Sequence, residues 1–122
     1  MAPRLLLIDD APEVRLALRL AFTRAGWVVA EAASGAEGLQ AAGQVPPDAI
    51  LLDVHMPGLD GPATLRALRA DPATAAIPVV FLTAPSSDLE VEHLLAMGAG
   101  GVAAKTSNPF QLPALVRRAL GW

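Results

Sequence analysis

Short apolar runs alternate with stretches in which apolar positions recur every third or fourth residue, and the alternation repeats five times along the chain. Arg4-Leu5-Leu6-Leu7-Ile8 reads as a first strand that ends on Asp9-Asp10. Val14, Ala17, Leu18, Ala21, Phe22 and Ala25 then fall on one face of a helix that Gly26 closes. The second strand is expected over Trp27–Ala30 and the second helix from Ser34 to about Ala42. Ala49-Ile50-Leu51-Leu52 is a third strand, fully apolar until it meets Asp53, and Pro57-Gly58 turns the chain back. A third helix opens at Asp60-Gly61-Pro62, carries Leu65 and Leu68 inward and ends near Ala70. Ile77–Leu82 is the fourth strand, leading to Thr83-Ala84. Val91, Leu94 and Leu95 give the fourth helix its inner face, with Gly98 as its stop. Val102-Ala103-Ala104 is a short fifth strand ending at Lys105, and Leu112, Leu115, Val116, Ala119 and Leu120 form the stripe of a fifth helix.

Helix starts are signalled by a capping residue with Glu or Gln three places on: Asp10/Glu13, Ser34/Glu37, Ser87/Glu90 and Asn108/Gln111. Pro113 interrupts the last of these, since it lacks a backbone donor, so an irregular first turn is expected there. Nearly continuous apolar strands separated by amphipathic helices require a parallel sheet covered on both faces. With right-handed crossovers the predicted fold is α/β: a doubly wound, flavodoxin-like five-stranded parallel sheet with five helices and strand order 2-1-3-4-5. Residues 1–122 read as one domain, with room for a single core and no internal linker.

Parallel strands put all their carboxyl ends on one rim, and that rim is where open α/β sheets bind ligands. The rim collects Asp9 and Asp10, Asp53, Thr83 and Lys105. Taken singly, Asp10 reads as a helix cap, Asp53 as a turn former, Thr83 as a β-branched strand end and Lys105 as a surface charge. Their convergence is what carries weight. Of the nine basic residues eight are Arg, so Lys105 is the one lysine in the chain. Cysteine is absent, which removes disulfides, thiolate chemistry and zinc–thiolate sites. The formal charge of −3 gives no basic footprint for nucleic acid. No apolar stretch is long enough to span a membrane or serve as a leader, so a cytoplasmic protein without membrane insertion is expected.

Clustered carboxylates repel, so either a pKa rises or a cation enters. Oxygen ligands of this number suit Mg²⁺. Lys105 provides a point charge for a phosphoryl group and the Thr83 hydroxyl a hydrogen-bond donor. Asp53, in the middle, is the candidate nucleophile, because carboxylates form aspartyl phosphates.

In order along the whole chain, the pair Asp9-Asp10, then Asp53-x-x-Met56-Pro57-x-x-Asp60-Gly61, Phe81-Leu82-Thr83-Ala84, Gly98-Ala99 and Lys105 make the sequence resemble the receiver domain of bacterial two-component response regulators. The resemblance implies that Asp53 accepts a phosphoryl group from a phosphohistidine on a sensor histidine kinase or histidine phosphotransfer protein. It implies Mg²⁺ held by Asp10, Asp53 and the backbone carbonyl of His55, with Asp9 acting through water. Thr83, the Ala84 amide and Lys105 would hold the phosphoryl oxygens, and Thr83 with Val102 would form the switch. It further implies output through the face of the fourth helix, fifth strand and fifth helix, to a downstream protein partner or a second copy of the chain, without direct nucleic-acid binding. No enzyme activity is expected beyond slow self-dephosphorylation. The imidazoles of His55 and His93 are expected to be solvated rather than functional.

Two positions depart from the family pattern. Lys105 is followed by Thr106, where the family has a proline in a cis peptide; a cis bond before Thr costs about 3–4 kcal/mol, so trans is expected. Val102 stands where the family has an aromatic that turns inward on phosphorylation. Together they raise the alternative of a receiver-fold interaction module with weak or absent phosphorylation-driven switching. A haloacid-dehalogenase-type phosphatase would want a second Asp where this chain has His55. A flavin site would want a Gly-rich loop in place of Asp9-Asp10-Ala11-Pro12.

Overall fold

The computed structural model describes residues 2–84, 87–105 and 108–122. In chain order the elements are β1 (Arg4–Ile8), α1 (Pro12–Arg24), β2 (Val28–Ala32), α2 (Gly35–Gln44), β3 (Ala49–Asp53), α3 (Gly61–Ala70), β4 (Val79–Thr83), α4 (Asp88–Ala96), β5 (Gly101–Ala104) and α5 (Leu112–Leu120). A single turn of 3₁₀ helix, Pro109–Gln111, precedes α5. The strands pair in parallel in the order β2-β1-β3-β4-β5, as the sequence pattern requires.

Strand periodicity divides the core in two. Leu6, Ile8, Ile50, Leu52, Val79 and Phe81 point to the face covered by α2, α3 and α4, where Ala42, Leu65, Leu68 and Leu94 meet them. Leu5, Leu7, Leu51, Val80 and Leu82 point the other way, against Leu18 and Phe22 of α1 and Leu112 and Val116 of α5. Every residue of β3 and β4 is buried, whereas all four of β5 are only half-buried. Among the described residues no helix is long and apolar enough to cross a membrane.

Several expected boundaries move, each for a physical reason. Trp27 belongs to the turn rather than to β2: Gly26 adopts φ 93° and the Trp27 amide bonds back to the Phe22 carbonyl, so pairing starts with Arg4 opposite Val28 and runs on to Ala32. β4 starts at Val79, because Pro78 has no amide for the ladder and contributes its carbonyl to the Ile50 amide instead. β5 gains Gly101 and α2 extends to Gln44. The Asp10/Glu13 capping box does not form; the cap position of α1 is Ala11, with Pro12 opening the helix. The Ser34 and Ser87 caps do form, whereas Asn108 accepts from the Phe110 amide and caps the 3₁₀ turn, leaving α5 with Gln111 at its cap position and no side-chain cap.

Leu95 is not on the inner face of α4 but 44% exposed, and Leu115 and Ala119 of α5 also lie toward solvent. The 3₁₀ turn rotates the start of α5, so Leu112, Pro113 and Val116 are the buried positions. That turn is the irregularity expected around Pro113.

The end of β3 is set by one close approach. The Gly61 amide donates to the Val54 carbonyl, and a Cβ on Gly61 would collide with the Asp53 carbonyl oxygen and lie 2.8 Å from Val54 Cα. Gly61→Ala should therefore cost about 1–3 kcal/mol, read as a lowered urea midpoint. Gly43→Ala, where a Cβ meets nothing within 4 Å, should instead be neutral or stabilising. Equal midpoints for Gly61→Ala and wild type would show that α3 is not seated against the end of β3.

Candidate functional site

The rim at the carboxyl ends of the strands brings together every side chain expected there. Asp53 closes β3 and Asp9 and Asp10 follow β1; Thr83 closes β4, and Lys105 follows β5 directly. One oxygen from each of Asp9, Asp10 and Asp53 lies within 4.8 Å of the others. Asp9 and Asp53 are buried, with exposures of 0% and 2%, while Asp10 is exposed. The Lys105 ammonium sits 3.2 Å from Asp9 Oδ2 and 3.2 Å from Asp53 Oδ1, bridging the two buried carboxylates. Its own amide donates to the Thr83 carbonyl at 2.7 Å, which ties the lysine to β4 as well as β5.

The two oxygens of Asp53 differ. Oδ1 faces Lys105 and accepts from the His55 amide at 3.3 Å. Oδ2 is buried and has no hydrogen-bond partner among the described residues. The Thr83 hydroxyl, one residue beyond the β4 partner of Asp53, is likewise buried and unpartnered among them. Such groups are expensive to bury unless something else occupies the space they face. Ala84 is exposed at the bend after β4. His55 is exposed, with Nε2 3.7 Å from Glu90 Oε1, so its imidazole points toward α4. His93 is on the exposed side of α4. Val102 is half-buried and packs against the α2–α4 side of the core. Thr106, with its peptide bond to Lys105, lies outside the described residues.

Burial raises the Asp53 pKa above the usual carboxylate value, the Asp9 charge adds to this, and Lys105 and the His55 amide oppose it. For Lys105, burial disfavours the ammonium, but hydrogen bonds to Asp53 and Asp9 and their charges outweigh it and hold the pKa above that of an ordinary lysine. Three carboxylates against one ammonium leave a formal charge of −2. Three hard carboxylate donors brought this close and that residual charge are a donor set that fits Mg²⁺.

Arg15 was not apparent from the sequence. Five residues past Asp10 it reads as the solvent face of α1, yet its Nη1 donates to the Asp9 carbonyl at 2.7 Å. Only the position of β2 beside β1 reveals why it is held there. Its Nε lies 3.4 Å from Glu31 Oε1.

This frame is a doubly wound α/β domain with an acidic, lysine-bearing carboxyl rim. The chain belongs to the response regulator receiver domain family, whose model matches residues 5–117. It is therefore a receiver domain of the two-component type, and the general role of that family is phosphoacceptor. Among relatives, the transcriptional regulatory protein AfsQ1 of Streptomyces coelicolor is 41% identical over 97% of this chain and 51% of its own length. The DNA-binding response regulator MtrA of Mycolicibacterium smegmatis is 34% identical over 98% of this chain and 51% of its own. The chain thus spans about half the length of these curated relatives. Among solved structures, the chemotaxis protein CheY4 of Vibrio cholerae superposes with a TM-score of 0.91 at 30% identity, covering 98% of this chain and 100% of that one.

The raised Asp53 pKa fixes the sign of a stability effect. Between the ordinary value of 3.8 and the higher folded value, the unfolded chain releases a proton that the folded one keeps, so ionisation of Asp53 erodes stability as pH rises through that window. In metal-free buffer at pH 7, Asp53→Asn should raise Tm by about 3–5 °C, as about 1 kcal/mol does in a domain of this size. The gain should vanish as pH is lowered toward 3.8. Thermal melts across that range check this, and a variant no more stable than wild type at pH 7 would refute the electrostatic reading.

Proposed function

We propose that Asp53 is the phosphoacceptor of this receiver domain, taking its phosphoryl group from a phosphohistidine on a sensor histidine kinase or histidine phosphotransfer protein in a Mg²⁺-dependent reaction. The observation that carries the proposal is the asymmetry of the Asp53 carboxylate: Oδ1 is engaged by Lys105 and the His55 amide, and the buried Oδ2 has no partner among the described residues. Oδ2 attacks phosphorus and forms the O–P bond. The P–N bond breaks, and its electron pair stays on the imidazole nitrogen. Lys105 offsets charge on the phosphoryl oxygens while still paired to Asp9, and the Thr83 hydroxyl and Ala84 amide donate to those oxygens. Asp10, Asp53 and the His55 carbonyl would hold Mg²⁺, with Asp9 acting through water, and the bound ion supplies neutralisation of the transferring group.

Residues 1–122 act as one receiver unit under this reading, in the cytoplasm. Output runs through the face built from α4, β5 and α5, to a downstream protein partner or a second copy, rather than to nucleic acid. The solvent-facing Leu95 and Leu115, 44% and 37% exposed, support that face as a contact surface. Its only reaction beyond phosphoryl acceptance is slow hydrolysis of its own aspartyl phosphate.

Intact-mass measurement after incubation with Mg²⁺ and acetyl phosphate tests the acceptor. Wild type should gain one phosphoryl group; Asp53→Asn or addition of EDTA should abolish the gain, and Lys105→Met should slow it by about 10²-fold. Phosphorylation persisting in Asp53→Asn would move the acceptor elsewhere. Beryllofluoride with Mg²⁺ should shift the amide resonances of α4 and β5, and unchanged resonances there would overturn the output face.

A further inference from the structure

We infer that Arg15 is a positioning residue for the cation site: braced by Glu31 on the edge strand β2, it holds the peptide joining Asp9 to Asp10 and so sets where the Asp10 carboxylate can meet a divalent ion. The inference rests on the proposed role of Asp10 and Asp53 as Mg²⁺ ligands. Asp10 is exposed, and its side chain makes no hydrogen bond or ion pair among the described residues. Nothing but the backbone can therefore aim it. Asp9, by contrast, is held through its amide, its carbonyl and Oδ1, with Oδ2 opposite the Lys105 ammonium. Its amide bonds to the Ala32 carbonyl at 3.2 Å, Oδ1 accepts from the Ala11 amide at 2.9 Å, Oδ2 faces Lys105, and its carbonyl accepts from Arg15.

That last bond matters most for Asp10, because the Asp9 carbonyl and the Asp10 amide share one peptide plane. Fixing the carbonyl orients the whole plane, and with it the bond from which the Asp10 side chain departs. Arg15 can do this because it is itself immobilised. Its side chain is only 17% exposed, its Nε lies 3.4 Å from Glu31 Oε1, and Arg19 takes the other Glu31 oxygen at 3.0 Å. A planar guanidinium gripped on two edges is a rigid fork, which a lysine would not be. Three elements thus meet at one hydrogen bond: α1 supplies the arginine, β2 its brace and the loop after β1 the acceptor. Partly exposed ion pairs of this kind add little to stability, so the arrangement is poorly explained as a staple of the fold.

Charge and geometry make opposite predictions, which renders the inference testable. A guanidinium beside a cation site repels the cation, so by charge alone its removal would tighten Mg²⁺ binding. By positioning, its removal loosens binding. Calorimetric Mg²⁺ titration and the Mg²⁺-induced rise in Tm should be measured for wild type, Arg15→Met, Arg15→Lys and Glu31→Gln. Arg15→Met should bind Mg²⁺ about tenfold more weakly, at the low end of what loss of an outer partner costs a metal site. Arg15→Lys should fall between it and wild type, and Glu31→Gln should show a smaller loss in the same direction. With acetyl phosphate, Arg15→Met should raise the half-saturating Mg²⁺ concentration while the maximal rate at saturating Mg²⁺ stays within about twofold of wild type. Unchanged or tighter Mg²⁺ binding in Arg15→Met overturns the inference, as does a fall in melting temperature with no change in Mg²⁺ affinity. Should Arg15→Met fail to melt cooperatively, Glu31→Gln decides, and wild-type affinity there overturns it. A wild-type protein that takes up no Mg²⁺ would instead defeat the underlying assignment of the cation site.

Discussion

The bridge from Lys105 to Asp9 and Asp53 is the interaction on which the rest of the rim depends. A parallel sheet delivers its strand ends to one edge whatever their chemistry, and here that edge receives two fully buried carboxylates and a third in solvent. Buried carboxylates lose their hydration and repel one another, a cost that one ammonium 3.2 Å from each of the buried pair can offset only in part. The remainder shows as the raised Asp53 pKa. The domain therefore carries electrostatic strain in the same place where a cation would relieve it. This opposition between stability and readiness to bind is common at functional sites.

The fold was legible because each of its levels points the same way. Apolar runs fix the strands, capping residues fix most helix starts, and parallel pairing then leaves little choice of strand order. The rim was legible for the same reason, since strand ends can be read without coordinates. What the sequence hid depends on neighbours. Trp27 has a strand residue's character, but the Gly26 turn consumes it. Asp10 has a cap's spacing to Glu13, but Pro12 at the start of α1 puts Ala11 in the cap position and leaves Asp10 on the rim. Leu95 and Leu115 fit an apolar stripe and yet face solvent, because stripe width says nothing about which edge of the stripe the sheet covers. Arg15 was invisible because its partners, the Asp9 carbonyl and Glu31, are joined by tertiary structure alone.

Burial is graded across the sheet, and the gradient bears on how a change at Asp53 could travel. β3 and β4 are buried throughout, so Asp53 sits on the least deformable part of the domain. β5 is half-buried at all four positions, and the helices beside it turn leucines outward. The two groups best able to follow a phosphoryl oxygen, the Thr83 hydroxyl and the Lys105 ammonium, lie on the β4–β5 side of the site, and the Lys105 amide links those strands through the Thr83 carbonyl. Drawing either group toward Asp53 loads β5, which is only half-buried, while the stiff centre stays put. Elements with few buried contacts are the ones that rearrange at low cost. On this argument an aromatic rotor at Val102 is one way to transmit the change but not a requirement. Under the proposed function, movement of the half-buried β5, with α4 and α5 on either side, would reach the α4–β5–α5 surface by packing alone.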